Sequence, residues 1–262
     1  MFSPSKIITF IKKYNFLIFV LIQKQFIVRY RRTLIGYLWN ILNPLVAITI
    51  LTLIFSTLFK LDPKTFAIFL FSGLIAFNLF SACISIGSRT FIEYHGLIDK
   101  VYLPKILFPI CTVVSALLDS FLVFVALLIV MFFLGSPISV NLLILPISYL
   151  AITIFSFGLT LILSILTVFF RDLQQIIPYI LQSLFFLSPI LYPKTNFRDG
   201  LLSVIININP ISVYVELFRA PIYEGKLPDL IYFIYGFSLS FTSLLIGLLF
   251  FFKYKHLIIL KL

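Results

Sequence analysis

Residues 106–134 read ILFPICTVVSALLDSFLVFVALLIVMFFL, and Asp119 is their only charged side chain. A helix needs about 20 consecutive apolar residues to cross the hydrocarbon core of a bilayer, so this stretch predicts a transmembrane helix. The whole chain has the same character, because 61% of its 262 residues are hydrophobic and 11% are charged. Soluble domains carry about 25% charged residues. The composition therefore predicts a polytopic membrane protein and excludes a soluble cytosolic or secreted enzyme.

Further apolar stretches lie on both sides of this one, separated by charged or turn-forming residues. The chain is thus predicted to be all-α, a single domain with six transmembrane helices. The fifth span contains Pro178 and Pro189, which predict bends because a proline leaves backbone carbonyls without their usual partners. The predicted spans are residues 34–59, 66–88, 106–134, 142–170, 173–193 and 230–252.

The N-terminal residues 1–33 carry seven basic side chains and do not form a span. Lys6, Lys13 and Lys24 fall on one face of a helix with a period of about 3.6 residues. We predict a cytoplasmic amphipathic helix that lies on an anionic leaflet, with a mobile basic tail as the alternative. It ends in a cluster of arginines, Arg29, Arg31 and Arg32.

Residues 194–229 separate the fifth and sixth predicted spans and have a mixed composition. Their longest uncharged run, residues 200–215, contains Asn207, Asn209 and Pro210. This run is too short and too polar for a span. It predicts a re-entrant hairpin or interfacial helices that dip into the membrane.

The distribution of lysine and arginine predicts the orientation. With both termini in the cytoplasm, 14 of the 20 basic residues lie on the cytoplasmic side and 6 on the external side, as the positive-inside rule requires. The net charge of +11 is therefore attributed to topology and to anionic lipid headgroups. We expect the chain to bind membrane lipids and not nucleic acid.

The sequence lacks the motifs of several catalytic sites. Its only Gly-Lys pair, Gly225–Lys226, is not part of a phosphate-binding loop, so this chain is not expected to bind ATP. His95 and His256 are far apart, which argues against a zinc site. Cys83 lies inside an apolar stretch, as a buried thiol does. We expect no catalytic residue, no metal site and no cofactor in this chain.

Asp119 is the one acidic residue deep within a predicted span. An ionisable side chain inside the membrane is a candidate functional residue. Ser115 and Ser120 are near enough in sequence to hydrogen-bond it. Two interpretations stay open, a polar contact between helices and a position on the path of a substrate.

Four motifs in register resemble one family. The first is residues 29–39, RYRRTLIGYLW, with 42–45, LNPL; the second is residues 96–105, GLIDKVYLPK. The third is residues 170–173, FRDL, with 188–193, SPILYP, and the fourth runs from 209–211, NPI, to 216–219, ELFR. Together they resemble ABC-2-type permeases, and more narrowly the permease subunits that export O-antigen, capsular polysaccharide or teichoic acid. The resemblance covers essentially the whole chain.

This resemblance implies half of a channel in the bacterial cytoplasmic (inner) membrane. Two copies of the chain would form a homodimer, and two separate ABC ATPase subunits, which bind ATP and Mg²⁺, would dock from the cytoplasm. The connection at residues 89–105 would be the coupling loop that receives the ATPase. The coupling residues implied are Glu93, His95, Leu97, Ile98, Asp99 and Lys100.

The implied cargo is a polyprenyl-diphosphate-linked glycan such as O-antigen. Arg29, Arg31 and Arg32 would lie in the cytoplasmic headgroup layer, where arginine can bind a diphosphate through paired hydrogen bonds. Anchoring of the helix in the membrane is the alternative role of this cluster. The external segment 194–229 would act as a gate, through Asn209, Pro210, Glu216 and Arg219.

Three other functions stay open at this point. Teichoic acid and capsule permeases share the quoted motifs, so the motifs do not select the glycan. An ABC-2 permease for a drug, peptide or lipid would keep the fold and change the cargo. An integral-membrane enzyme acting on lipid-linked sugars should show paired acidic residues near the membrane, whereas acids such as Asp62, Asp172 and Asp229 are scattered singly.

Overall fold

The computed structural model describes residues 4–30, 36–101, 103–194 and 200–261. In these ranges every long regular element is an α-helix and no β-strand occurs, in agreement with the predicted all-α class. Short 3-10 turns cover Gly36–Leu38 and Val140–Ile144, and a π-helical turn covers Ala220–Glu224. The helices are α1 (Pro4–Tyr30), α2 (Trp39–Phe59), α3 (Pro63–Glu93), α4 (His95–Ile98), α5 (Leu107–Phe133), α6 (Leu145–Phe169), α7 (Leu173–Leu187), α8 (Leu201–Ile208), α9 (Pro210–Arg219), α10 (Leu230–Tyr254) and α11 (Ile258–Lys261).

Within the described residues, five helices are long and apolar enough to cross a membrane. They are α2, α3, α5, α6 with the 3-10 turn before it, and α10, which coincide with all the predicted spans except the fifth. At the fifth position, α7 has 15 residues. It is about 22 Å long, against a hydrocarbon core of about 30 Å. The count of six spans therefore stays a prediction.

Helix α7 stops before the end of the predicted fifth span because of a proline. Ser188 has an extended backbone, with φ −91° and ψ 144°, and a residue that precedes a proline is driven to this conformation by steric contact with the proline ring. Pro189 follows it directly. The helix accordingly ends at Leu187, and the rest of residues 173–193 is not helical.

Helix α3 extends beyond the predicted second span at both ends. It begins earlier because the Asp62 carboxylate caps it, accepting a hydrogen bond from the Thr65 N–H at 3.0 Å. At the other end it continues through Arg89 to Glu93. The connection predicted as residues 89–105 is therefore corrected to begin after Glu93. A half-buried arginine does not end the helix, because its long side chain reaches polar surroundings from within it.

Helices α3, α6 and α10 form the centre of the bundle and approach one another through small residues. A Cβ atom on Gly87 of α3 would collide with Thr160 of α6. On the other side of α6, Gly158 contacts Ser243 and Gly247 of α10, and a Cβ atom on either glycine would collide with the opposite helix. Small residues at such positions let two helix backbones come together inside a membrane.

Hydroxyl groups join these three helices at the same places. Each hydroxyl donates to a backbone carbonyl of a neighbouring helix, a bond that lipid cannot replace. The buried face of α10 accordingly consists of serines and glycines down to its last turn. The bonds run from Thr160 to the carbonyl of Cys83 (3.0 Å), from Ser240 to that of Ala151 (2.6 Å) and from Ser243 to that of Phe155 (2.9 Å).

Helices α8 and α9 occupy the segment predicted as a re-entrant hairpin or interfacial helices. Helix α9 packs into the bundle, and the Tyr214, Leu217 and Phe218 side chains are fully buried. The Tyr214 hydroxyl donates to the Gly236 carbonyl of α10 at 2.9 Å. Helix α9 is thus part of the core, whereas α8 is mostly exposed, and re-entry of the segment from the external side stays a prediction.

Helix α1 packs against the first half of α5. Ile18 and Gln25 are seven residues apart on α1, yet they contact neighbouring residues of α5: the Cys111 thiol lies 4.0 Å from the Ile18 carbonyl, and the Gln25 amide donates to Thr112 at 3.4 Å. Leu21, between them, is buried. The contact of α1 with a leaflet stays a prediction.

Replacing Gly158 or Gly247 by alanine should destabilise the protein. The added Cβ atom forces α6 and α10 apart, and such overpacking costs about 1–3 kcal/mol, more than the roughly 1 kcal/mol that alanine gains over glycine in a helix. The melting temperature of the detergent-purified protein should fall for both variants. Gly96→Ala is the matched control, because its Cβ atom meets nothing within 4 Å. Equal melting temperatures for Gly158→Ala and Gly96→Ala would contradict this packing.

Candidate functional site

The last residue of α3 and the segment that follows it, here called the coupling segment, present charged side chains at one end of the bundle. Glu93, His95, Asp99 and Lys100 are exposed, whereas Leu97 is half-buried and Ile98 is buried. His95 Nδ1 lies 3.1 Å from Asp99 Oδ2, one helical turn away. The six predicted coupling residues thus divide into four that face outward and two that hold the segment in place.

Aromatic residues anchor this segment to the spanning helices. Phe91 and Tyr94 are buried, and both rings contact Phe108 of α5, with the Tyr94 centroid 5.2 Å from that of Phe108. Phe91 also stacks on Phe251 near the end of α10, at 6.4 Å between centroids. Ile98 belongs to the same cluster. Aromatic and apolar contacts thus join the segment around α4 to α5 and α10. The sequence motifs pointed to the exposed residues of this segment and missed its aromatic anchors.

The two terminal parts of the chain also meet this segment. Lys24 of α1 places its ammonium group 5.0 Å from the centroid of the Tyr94 ring. The Lys105 ammonium group donates to the Lys255 carbonyl, just after α10, at 2.7 Å. Burial lowers the pKa of Lys105, and the positive charge of Lys255 lowers it further. Helix α1, the coupling segment and the end of α10 thus form one connected surface.

The predicted gate residues start and end helix α9. Asn209 caps its first turn, since its side-chain oxygen accepts from the Ile211 N–H at 3.0 Å, and Pro210 occupies the first helical position. The Asn209 amide group also donates to the Ser188 hydroxyl at 2.9 Å. Two of the quoted motifs, SPILYP and NPI, therefore contact each other in the structure.

Arg219 joins the same two motifs at the other end of α9. The side chain is buried, its guanidinium group lies 3.8 Å from the Phe69 ring centroid, and its Nη2 donates to the Ile190 carbonyl at 3.4 Å. A glycine of α3 makes room for it, because a Cβ atom on Gly73 would lie 3.1 Å from Nη2. Nothing in the sequence predicts that Arg219 contacts Phe69 and Gly73 of α3.

Glu216, which is also on α9, makes an ion pair with Lys194 in the chain after α7. One of its carboxylate oxygens lies 3.8 Å from the Lys194 ammonium group. All four predicted gate residues thus lie on or next to α9 and hold it against α3 and the chain after α7. Their role in a gate stays a prediction.

Asp119 is buried, and its partner is on another helix. Oδ1 accepts a hydrogen bond from the Asn40 amide of α2 at 2.9 Å. Ser120 contacts Tyr149 of α6 instead, at 3.4 Å between the hydroxyl oxygens. The carboxylate borders a cleft of about 350 Å³ between α2, α3 and α5. The sequence identified Asp119 as unusual but gave no indication of Asn40.

The remaining predicted site is the arginine cluster, which lies outside the described residues. This applies to Arg31, Arg32 and the side chain of Arg29. Within the part of the chain that the structure describes, no three His, Cys, Asp or Glu side chains come together to hold a metal ion.

The five long apolar helices in the described residues are those of a multi-pass membrane protein. The chain belongs to the ABC-2 type transporter family, whose family model matches residues 16–223. The resemblance inferred from the sequence motifs is thereby confirmed.

Several relatives match over most of their length. The chain is 30% identical, over 83% of its residues, to the O-antigen export system permease protein RfbA of Myxococcus xanthus, and the match covers 84% of that relative. It is 29% identical to the protein of the same name from Klebsiella pneumoniae, over 93% of this chain and 96% of the relative. The polysialic acid transport protein KpsM of Escherichia coli is 28% identical over 84% of this chain and 86% of the relative.

Reversing the exposed charges of the coupling segment should weaken its contact with an ATPase subunit. In Glu93→Lys/Asp99→Lys the outward charges change sign while the buried anchors stay. We expect roughly tenfold less ATPase to co-purify, because reversed charges turn electrostatic attraction across an interface into repulsion. The measurement is the ratio of ATPase to permease after affinity purification.

Glu224→Lys/Asp229→Lys is the matched control. Both acids are exposed, and Asp229 precedes the first residue of α10, whereas the coupling surface lies beyond its last residue. This variant should retain the ATPase. Equal retention by the two double variants would show that the coupling segment is not the docking surface.

Proposed function

We propose that this protein is the membrane-spanning permease subunit of an ATP-driven exporter that moves a lipid-linked polysaccharide across the bacterial cytoplasmic membrane. The observation that carries the proposal is the similarity over more than four-fifths of the chain to relatives named as O-antigen export permeases. The family match over residues 16–223 supports it. In this role the chain has no catalytic site of its own.

The source of energy in the proposal is a separate pair of ATPase subunits. The sequence has no phosphate-binding loop, so ATP and Mg²⁺ would be bound by the partner. Two copies of the chain would enclose the path of the cargo, with both termini in the cytoplasm. The exposed charges around α4 would receive the ATPase, and the aromatic anchors Phe91 and Tyr94 would pass its movement to α5 and α10.

The proposed cargo has three chemically different parts. Its polyprenyl chain is apolar and stays in the bilayer, its diphosphate is anionic, and its sugars are polar. The arginines at positions 29, 31 and 32 would bind the diphosphate, since a planar guanidinium group matches phosphate oxygens. Helix α9, held by Asn209 and Arg219, would close the external end between transport cycles.

A capsular polysaccharide is the second candidate cargo. It is favoured by the similarity to relatives named as polysialic acid transport proteins, which covers 84% of this chain. The two candidates share the permease and the ATPase and differ in the glycan.

The test is complementation in cells that make a lipid-linked glycan but lack their own permease. Co-expression of this chain with the ATPase from its genetic neighbourhood should bring the glycan to the cell surface, where antibodies or lectins detect it. Separate strains that make O-antigen or capsule distinguish the two cargoes. Accumulation of glycan inside all strains, with the protein present in the membrane, would contradict the proposal.

A second prediction concerns the arginine cluster. Replacing Arg29, Arg31 and Arg32 together by lysine keeps every positive charge but removes the paired hydrogen bonds to phosphate. We expect unchanged membrane insertion and a severalfold lower surface glycan level. Arg171→Lys is the matched control, since Arg171 is an exposed arginine elsewhere in the chain. Wild-type export by the triple variant, at equal protein level, would leave the cluster as a membrane anchor.

A further inference from the structure

The midpoint of helix α3 carries an exposed polar side chain. Asn78 lies fifteen residues from each end of this 31-residue helix, about 22 Å from either end. Between Ile68 and Ile86 Asn78 is the only exposed residue, and the others are buried or half-buried. Its side-chain amide makes no hydrogen bond to any residue that the structure describes. Such a group at mid-depth of a membrane protein needs a polar partner, because lipid tails offer none.

Asn78 faces a cleft that other helices supply with further polar groups. The cleft has a volume of about 350 Å³ and lies between α2, α3 and α5. Asp119 is twelve residues into α5 and is linked to Asn40 of α2 at 2.9 Å. The polar side chains on its walls are Asn40, Asn43, Asn78, Asp119 and Ser120.

The chemistry of these walls matches a ligand with many hydroxyl groups. Each asparagine amide both donates and accepts hydrogen bonds, and an ionised carboxylate accepts several. A sugar ring presents hydroxyls that donate and accept in the same way. The volume falls in the range of about 300–1,000 Å³ that is usual for small-ligand sites. An apolar cargo would offer the exposed Asn78 amide no hydrogen bond.

A polar track leads to the cleft along α3. Ser81, Ser85 and Arg89 follow Asn78 at steps of three and four residues, so they share one side of the helix, and all three are half-buried. Ser81 and Ser85 line a second cleft of about 420 Å³ together with Gln182 of α7. The track runs from the coupling end of α3 to its midpoint.

We propose that the cleft at Asn78 and Asp119 is a binding site for sugar hydroxyl groups, which the glycan occupies during its passage. This inference rests on the proposed function and adds to it a position for the sugar halfway along α3. Water alone and a second copy of the chain are the competing occupants, and the test separates them.

The first arm of the test measures access to the cleft in the assembled complex. Asn78→Cys is made in a chain in which Cys83 and Cys111, both buried, are replaced by alanine. A hydrophilic thiol reagent should label Cys at this position in membrane vesicles that contain the ATPase. Leu249→Cys on α10 is the control, since Leu249 is exposed but surrounded by apolar residues, and it should stay unlabelled. Accumulation of the lipid-linked glycan, with a hydrolysis-deficient ATPase, should protect the site by more than half.

The second arm measures export. Asn78→Leu keeps the size of the side chain and removes its hydrogen bonds, and should lower surface glycan by up to about tenfold, the effect of losing one hydrogen bond to the cargo. Asn78→Gln should restore part of it. The amount of permease and its ATPase complex should be unchanged in both variants.

Three outcomes would overturn the inference. An unlabelled position 78 means that a second copy or lipid covers the cleft. Labelling that the glycan does not change, together with normal export by Asn78→Leu, means that the cleft holds only water. Failure of the wild-type chain to export any glycan contradicts the proposed function itself, and the inference falls with it.

Discussion

The structure depends on the close approach of α3, α6 and α10, which only small residues permit. Inside a bilayer the hydrophobic effect does not drive helices together, because lipid tails are as apolar as the side chains. Two features replace the hydrophobic effect here. The first is close packing of the helices at Gly87, Gly158 and Gly247. The second is the set of hydrogen bonds that Thr160, Ser240 and Ser243 donate to carbonyl groups of neighbouring helices. Helix α9 is attached to this centre through Tyr214, and the coupling segment through the contact of Phe91 with Phe251.

Helix α3 connects the parts of the molecule that carry its proposed function. Near its start, Phe69 and Gly73 accommodate Arg219 and so fix α9. Near its end, Phe91 belongs to the cluster that anchors the coupling segment. The cleft at Asn78 lies halfway between. Because α3 is one continuous helix of 31 residues, it would pass a displacement from the coupling segment to the cleft and α9 in the proposed function.

The outer helices contrast with this centre. Helices α2 and α7 expose large apolar side chains along much of their length, such as Leu53 and Ile180, and α10 exposes others, such as Leu245, away from its buried face of serines and glycines. In a membrane these faces are covered by lipid or by another protein chain. The molecule thus has a tightly packed centre and outer helices with exposed apolar faces. This arrangement suits a transporter in which the outer helices would move.

The sequence by itself determined the membrane character, the approximate position of five long helices, and the family. These depend on the length of apolar runs and on short motifs, and both are local properties of the chain. The caps of α3 and α9, Asp62 and Asn209, act within a single turn and are equally local, although the predicted second span began only at residue 66. The candidate coupling and gate residues were likewise chosen from short motifs, and their roles stay predictions.

Only the tertiary structure decided which distant residues meet. The pairing of Asp119 with Asn40 joins positions 79 residues apart, and Arg219 reaches a carbonyl 29 residues earlier while stacking on Phe69. The exposure of Asn78, in the middle of an otherwise covered helix, depends on the cleft that α2 and α5 leave open beside it. Apolar runs do not encode such pairs, because in a membrane any apolar face fits lipid, and helix partners are chosen by shape and by single polar contacts.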